Sequence, residues 1–202
     1  MTLTTQQIDA LRKITSPSVA NAIETFKVRP RDEGNVSSRI RALFPEMGPM
    51  VGYACTAIIR AEQGPIEGHR ASLFGWWDFI QTIPAPRVIV VHDLDDPRGQ
   101  GAQWGEVQAN IHRALGCVGV VTDGSVRDLD EVRALNFQFC AAHVSVSHAN
   151  VHMVDFGIPI KVGGVWVKPG DLVHGDQQGV VVIPHDIAHG IPEAIAKVEK
   201  AL

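Results

Sequence analysis

Charge of one sign is what this chain most plainly lacks. Lysine and arginine number 18 against 22 acidic residues, a net charge of −4, and no window concentrates the basic ones. A phosphate backbone calls for a basic face, so direct nucleic-acid binding is not expected. No apolar run approaches the roughly 20 residues of a bilayer-spanning helix, and no membrane role is expected. The opening stretch, "MTLTTQQIDALRKI", has polar helix spacing and no apolar signal core, which predicts no export and a cytoplasmic location. Cysteine is scarce too: Cys55, Cys117 and Cys140 are odd in number and widely spaced. That argues against a disulfide framework or a zinc knuckle and for buried thiols in a reducing compartment.

What is present is 202 residues, 45% of them hydrophobic, enough for one substantial core. A single domain over 1–202 is expected, with N-terminal helices in 5–26, a core over 50–184 and a C-terminal helix over 185–202. Ile8, Leu11 and Ile14 form one apolar stripe, and Val19, Ala22, Ile23 and Phe26 a second, with Pro17 early in the second helix. Residues 27–50, rich in Arg, Pro and Gly, read as a surface loop. Strands are expected at 50–61 and 84–93 around a helix in 69–83. Then "WGEVQANIHRALG" is a helix with Val107, Ile111 and Leu115 on one side, "CVGVVTD" a buried strand, and "DLDEVRALN" another helix. Three β-rich stretches broken by Gly and Pro follow, with turns expected at Pro169-Gly170 and Gly175-Asp176. The pattern predicts an α/β fold with a mixed sheet and helices packed outside.

The stretch "VVTDGSVRDLDEV" (120–132) places two acids and an arginine where a buried strand ends. Asp123-Gly124 fits a turn, and Asp128 followed by Glu131 fits a capping box. Neither explains Arg127, which suits a bidentate anion. Upstream, Gly105, Glu106, Val107 and Gln108 would form a first helical turn, whose free amides and dipole can hold a carboxylate. Gly105 lets a ligand approach closely. Helix, strand and then Arg-Asp at the strand's carboxyl end would bring Gly105 and Arg127 together. Asp128 then offers oxygen to a hard cation such as Mg²⁺.

These segments, "WGEVQA", "GCVGVVTDGSVRDLDEV" and "KVGGVWVKPGDLVHGDQQGVVVIP", resemble the family of 4-hydroxy-4-methyl-2-oxoglutarate aldolases, which includes the regulator of ribonuclease E activity A (RraA-like). The resemblance runs from about residue 15 to 190. It implies a single β/β/α swivelling-type domain, homotrimers or hexamers, and active sites at subunit interfaces. It further implies that Gly105, Glu106, Val107, Gln108 and Arg127 contact a pyruvate-like substrate and that Asp128 binds a divalent metal cation, Mg²⁺ or Mn²⁺. The implied activity is metal-dependent aldol cleavage or oxaloacetate decarboxylation of a small 2-oxo acid through a pyruvate enolate. The cation acts as Lewis acid, Arg127 stabilises the enolate, and Glu106 or a water on the cation serves as base. The rivals are a non-catalytic regulatory protein on the same scaffold and a hydrolase or isomerase using the same metal pocket. Residues 64–86 depart from the family pattern, with Trp76 and Trp77 and no matching acid, so the substrate's distal half is left open.

Other signals point elsewhere. "GQGAQWG" (99–105) lacks the preceding strand and distal acid of a dinucleotide loop. His143, His148, His152 and His174 fit no compact zinc spacing and are expected in hydrogen bonds or interfaces. Asp93, Asp95 and Asp96 read as a solvated turn, with a place beside the metal as the alternative. Trp76 and Trp77 read as core or subunit contact.

Overall fold

Residues 2–68 and 70–199 are described by a computed structural model of the chain. Thr4 opens helix α1 (Thr5–Leu11): its side chain accepts from the Gln7 amide while the Gln7 side chain accepts from the Thr4 amide. Thr15 caps α2 (Ser16–Phe26) through the Ser18 amide, with Pro17 in the first turn, where a missing N–H has no consequence. Ile8, Leu11, Val19, Ala22 and Ile23 are buried as their spacing predicts, whereas Phe26 is exposed.

The remaining elements are β1 (Arg41–Ala42), β2 (Met50–Arg60), α3 (Leu73–Thr82), β3 (Arg87–Asp93), β4 (Ala102–Trp104), α4 (Glu106–Ala114), β5 (Cys117–Val126), α5 (Leu129–Ala134), β6 (Gln138–Val144), β7 (His152–Phe156), β8 (Ile160–Val162), β9 (Val165–Val167), β10 (Leu172–Asp176), β11 (Gly179–Ile183), α6 (His185–Ala188) and α7 (Ile191–Glu199). The main sheet runs β1-β6-β5-β3-β2-β10-β11, with β4 beside β5 and β7 beside β2. Strands β2, β3, β5 and β6 are mutually parallel. Parallel neighbours need crossovers, which α3, α4 and α5 supply. The flanking strands pair antiparallel.

One segment almost closes this sheet into a barrel. Val36 N–H donates to the Val180 carbonyl and Val182 N–H to the Gly34 carbonyl, both at 2.9 Å, so residues 34–36 run beside β11. A few residues on, β1 pairs with β6 at the other end. The expected surface loop is therefore a strap, with Val36, Ile40 and Phe44 buried beneath it. Strand alternation divides the apolar side chains into two cores. Met50, Ala54, Val88, Val90 and Val121 point inside the barrel with Val162 of β8. Val51, Tyr53, Ile89, Val91 and Val120 point outward under the helices.

Several boundaries differ from the sequence reading. Strand β5 does not end at Asp123 but continues through Gly124 to Val126, exchanging β3 for β4 as its neighbour at Ser125. The Asp123 carboxylate is satisfied there by the Asp93 amide (2.8 Å), so no turn is needed. Asp176 belongs to β10 rather than to a turn. The C-terminal helix is interrupted between α6 and α7 at His189-Gly190, and its expected last residues, 200–202, lie outside the described residues. Val107 is 68% exposed, so the stripe drawn through Val107, Ile111 and Leu115 is not the buried face of α4. Ala109 and His112 are that face.

Candidate active site

Strands β4 and β5 are adjacent and parallel, so their carboxyl ends finish side by side. Trp104 ends one strand and Val126 the other, and the Arg127 amide donates to the Trp104 carbonyl at 2.8 Å. The residues that follow, Gly105 and the first turn of α4 on one side and Arg127-Asp128 on the other, are thereby forced together. The sequence reading placed these groups together; the three-residue strand β4 that does it was not foreseen.

Asp128 is the joint between the two halves. It sits at the start of α5 with φ 55° and ψ 47°, a left-handed conformation that Asp adopts more readily than most residues, at a cost of about 1 kcal/mol. In this conformation its side chain makes no cap bond to α5, and the capping box with Glu131 is absent. Its Oδ2 instead accepts the Glu106 amide across the gap at 3.0 Å. A glycine at the start of α4 has no side chain to cap with, so Asp128 supplies the missing acceptor from the neighbouring strand end. Gly105 is required by this approach. A Cβ built there would lie 2.4 Å from Asp128 Oδ2 and 3.1 Å from Arg127 Cγ.

The amides of Val107 and Gln108 have no acceptor within α4, and the helix dipole makes that end electropositive. Arg127 Nε lies 3.6 Å from Asp128 Oδ2. The guanidinium and the free amides border a cleft of about 290 Å³ lined by Gly105, Val107, Gln108, Arg127 and Asp128. Glu106 contributes its amide to this arrangement. Its side chain is exposed and is not among the residues that line the cleft.

Helix α4 is held from behind. Trp76 Nε1–H donates to His112 Nε2 at 2.8 Å, and His112 Nδ1–H donates to the Gln108 carbonyl at 2.7 Å. Both ring nitrogens are thus used by a neutral imidazole, and burial pushes its pKa down to about 4. The Trp104 ring packs edge-on against the same imidazole with centroids 4.8 Å apart. Trp76 is core, as expected.

Three ionisable lining residues escaped the sequence reading as site members: Arg70, His148 and His152. His148 and His152 each donate Nδ1–H to a nearby carbonyl, of Ala149 and Asn150, which leaves an Nε2 lone pair on each ring. They come from the β6–β7 region, far from residues 105–128 in sequence, so no spacing rule links them to it. The other two flagged histidines are elsewhere: His174 is buried against Ser16 and the Leu11 carbonyl, and His143 borders a different cavity. Asp93 and Asp95 do not form a solvated turn. Both are buried, accepting from the Gly99 amide and from the Ala61 and Glu62 amides respectively.

No group of three or more His, Cys, Asp or Glu residues converges among the described residues. One carboxylate, Asp128, therefore defines the donor set. Oδ2 is engaged by the Glu106 amide, and Oδ1 has no hydrogen bond among the described residues. A single carboxylate fits Mg²⁺ or Mn²⁺, which keep waters and take ligand oxygens, and does not fit the closed coordination of structural zinc.

The architecture is a single α/β domain with a mixed, nearly closed sheet, helices outside, and a cleft where two parallel strands end. Residues 8–182 match the RraA-like family, described as Aldolase/RraA, and the chain belongs to that family. A protein of Halalkalibacterium halodurans named "Putative 4-hydroxy-4-methyl-2-oxoglutarate aldolase" is 38% identical over 81 residues, 40% of this chain and 39% of that protein. One of the same name from Ectopseudomonas mendocina is 29% identical over 89 residues, 43% of this chain and 54% of that protein. The matched stretches thus span less than two thirds of these relatives. Among solved structures, an unusual member of the RNase ES inhibitor RraA protein family from Streptomyces coelicolor superposes with a TM-score of 0.76 at 22% identity, covering 100% of this chain and 96% of that one. At that identity the likeness is one of fold.

Proposed function

We propose that this protein is a divalent-metal-dependent carbon–carbon lyase that cleaves a small 2-oxo acid, by aldol cleavage or decarboxylation, through a pyruvate enolate. The observation that carries the reading is the convergence of the α4 amides, Arg127 and Asp128 on one cleft, with Asp128 oriented by the Glu106 amide at 3.0 Å. The aldolase names of two relatives support the same class.

In this reading the substrate carboxylate docks on the Val107 and Gln108 amides and on the Arg127 fork, a bidentate match. Asp128 would hold a divalent cation, Mg²⁺ or Mn²⁺, which would supply Lewis acidity when bound. Arg127 stabilises negative charge as the enolate oxygen forms, in a cleft whose donors are already oriented. Aldol cleavage also needs a base for the proton of the leaving alcohol. Glu106 and a water on the cation are the bases expected from sequence; the Nε2 lone pairs of His148 and His152 border the cleft itself, which favours an imidazole for that role. Arg70, across the same cleft, suits an acidic group on the distal half of the substrate. A homotrimer or hexamer is part of the proposal.

The test is pyruvate release from oxaloacetate and from 4-hydroxy-2-oxo acids, with and without Mg²⁺ or Mn²⁺. Release that stops with chelator and in Asp128→Asn supports the lyase. Binding of pyruvate without turnover under any metal supports the regulatory reading instead. Conversion without two carbon fragments supports a hydrolase or isomerase.

A further inference from the structure

The nearly closed barrel has an open mouth at the carboxyl ends of β3, β5 and β6, a second cavity of about 760 Å³. It lies on the opposite side of the sheet from the cleft at Gly105. His92 shares its strand face with Val88 and Val90, which point inside the barrel, while Trp104 and Ala109 behind the first cleft belong to the outer core. Carboxyl ends of parallel strands and mouths of barrels are where α/β folds collect ligands.

The lining is cationic. Arg39 from the strap, Arg98 from the β3–β4 loop and Lys161 from β8 face Asp96 and Asp123, with His92 and His143 between them. Asp123 is already neutralised from within: it accepts the Asp93 amide at 2.8 Å, contacts His92 Nδ1 at 2.8 Å and lies 3.4 Å from Arg98 Nε. Arg39 and Lys161 make no ion pair among the described residues. A concave surface concentrates the field of unpaired charges, and here the sign is opposite to the net charge of −4 carried by the chain. The walls are fixed rather than loose. Ser37 N–H donates to the Gly163 carbonyl at 2.9 Å, tying the β8–β9 turn to the strap, and Arg98 Nε–H donates to the Asp93 carbonyl at 3.0 Å.

We propose that the barrel mouth is a second binding site, for a small molecule with a multiply charged anionic head group. Arg39, Lys161 and the guanidinium of Arg98 bind the head group. A phosphate ester and a polycarboxylate share this chemistry. Two probes separate them: pyrophosphate and citrate, each titrated calorimetrically into the full chain in metal-free buffer. At least one is expected to bind saturably, once per chain, with a submillimolar Kd. The Arg39→Ala/Lys161→Ala double variant should weaken that binding about tenfold or more, while Arg127→Ala leaves it unchanged. Tighter pyrophosphate assigns a phosphate head group, and tighter citrate a carboxylate one. Thermal melts of the double variant check its fold, and ring NMR shifts of His92 and His143 during the titration locate the probe. Absence of binding by both probes, equal affinity in the double variant, or loss of binding in Arg127→Ala overturns the proposal.

Discussion

Replacing Gly105 by alanine is the sharpest single perturbation of the candidate site. The backbone there is extended, at φ −153° and ψ −163°, so alanine fits without strain. The added methyl does not fit: it would lie 2.4 Å from Asp128 Oδ2, about 1 Å short of ordinary contact. Asp128 must retreat by that distance, which stretches its 3.0 Å bond to the Glu106 amide beyond hydrogen-bond range. Losing that solvent-exposed bond costs about 0.5–1.5 kcal/mol of stability, because water can take the place of the lost acceptor. Misplacing the carboxylate by ~1 Å should lower kcat/KM for the proposed lyase about 10²-fold. Pyruvate release from oxaloacetate reads the second effect, and a denaturant melt with oxalate titration reads the first. In Gly105→Ala/Asp128→Gly the clash is gone and glycine suits the left-handed position, but the Glu106 amide still lacks its acceptor, so stability should recover only in part and activity not at all. Wild-type kcat/KM and midpoint in Gly105→Ala would refute the coupling of the two strand ends.

Arg127→Lys keeps the charge but loses the planar fork, and KM for oxaloacetate should rise about tenfold or more, measured by steady-state kinetics. His152→Gln should change the acid limb of the pH–rate profile if that imidazole takes the proton in aldol cleavage; an unchanged limb returns the role to another base. His112 predicts a pH-dependent stability. Its folded pKa is pushed down to about 4 from an ordinary 6.5, so its contribution is complete above pH 6.5 and is lost as the pH falls toward 4. The full difference is ~3 kcal/mol. Urea melts of His112→Phe should show a flatter slope over that window than the native chain, and identical slopes would contradict the assignment.

Local chemistry explains which parts of this site could be read in advance. The helix starting near Gly105 and the Arg127-Asp128 pair carry their meaning in adjacent residues, and both stand where the sequence puts them. Asp123-Gly124 misled, because a dipeptide with turn chemistry can also lie inside a strand whose partner changes there. The Asp128–Glu131 spacing misled for a related reason: the left-handed backbone at Asp128 turns the carboxylate toward another helix. Val107 looked like core by its period, but the α4 face that is buried holds His112, a polar residue with both nitrogens satisfied by Trp76 and Gln108. Strand β4 is only three residues of glycine-bordered sequence, too short to announce itself. Arg70, His148 and His152 reach the cleft by tertiary folding alone.

The left-handed turn at Asp128 limits which replacements can be interpreted there. Asparagine and glycine take that backbone at less cost than alanine or glutamate, which would add backbone strain to the change in chemistry. Asparagine preserves the path and the acceptor for the Glu106 amide while removing the negative charge. At this position the main chain has narrowed the choice of side chain before any ligand arrives.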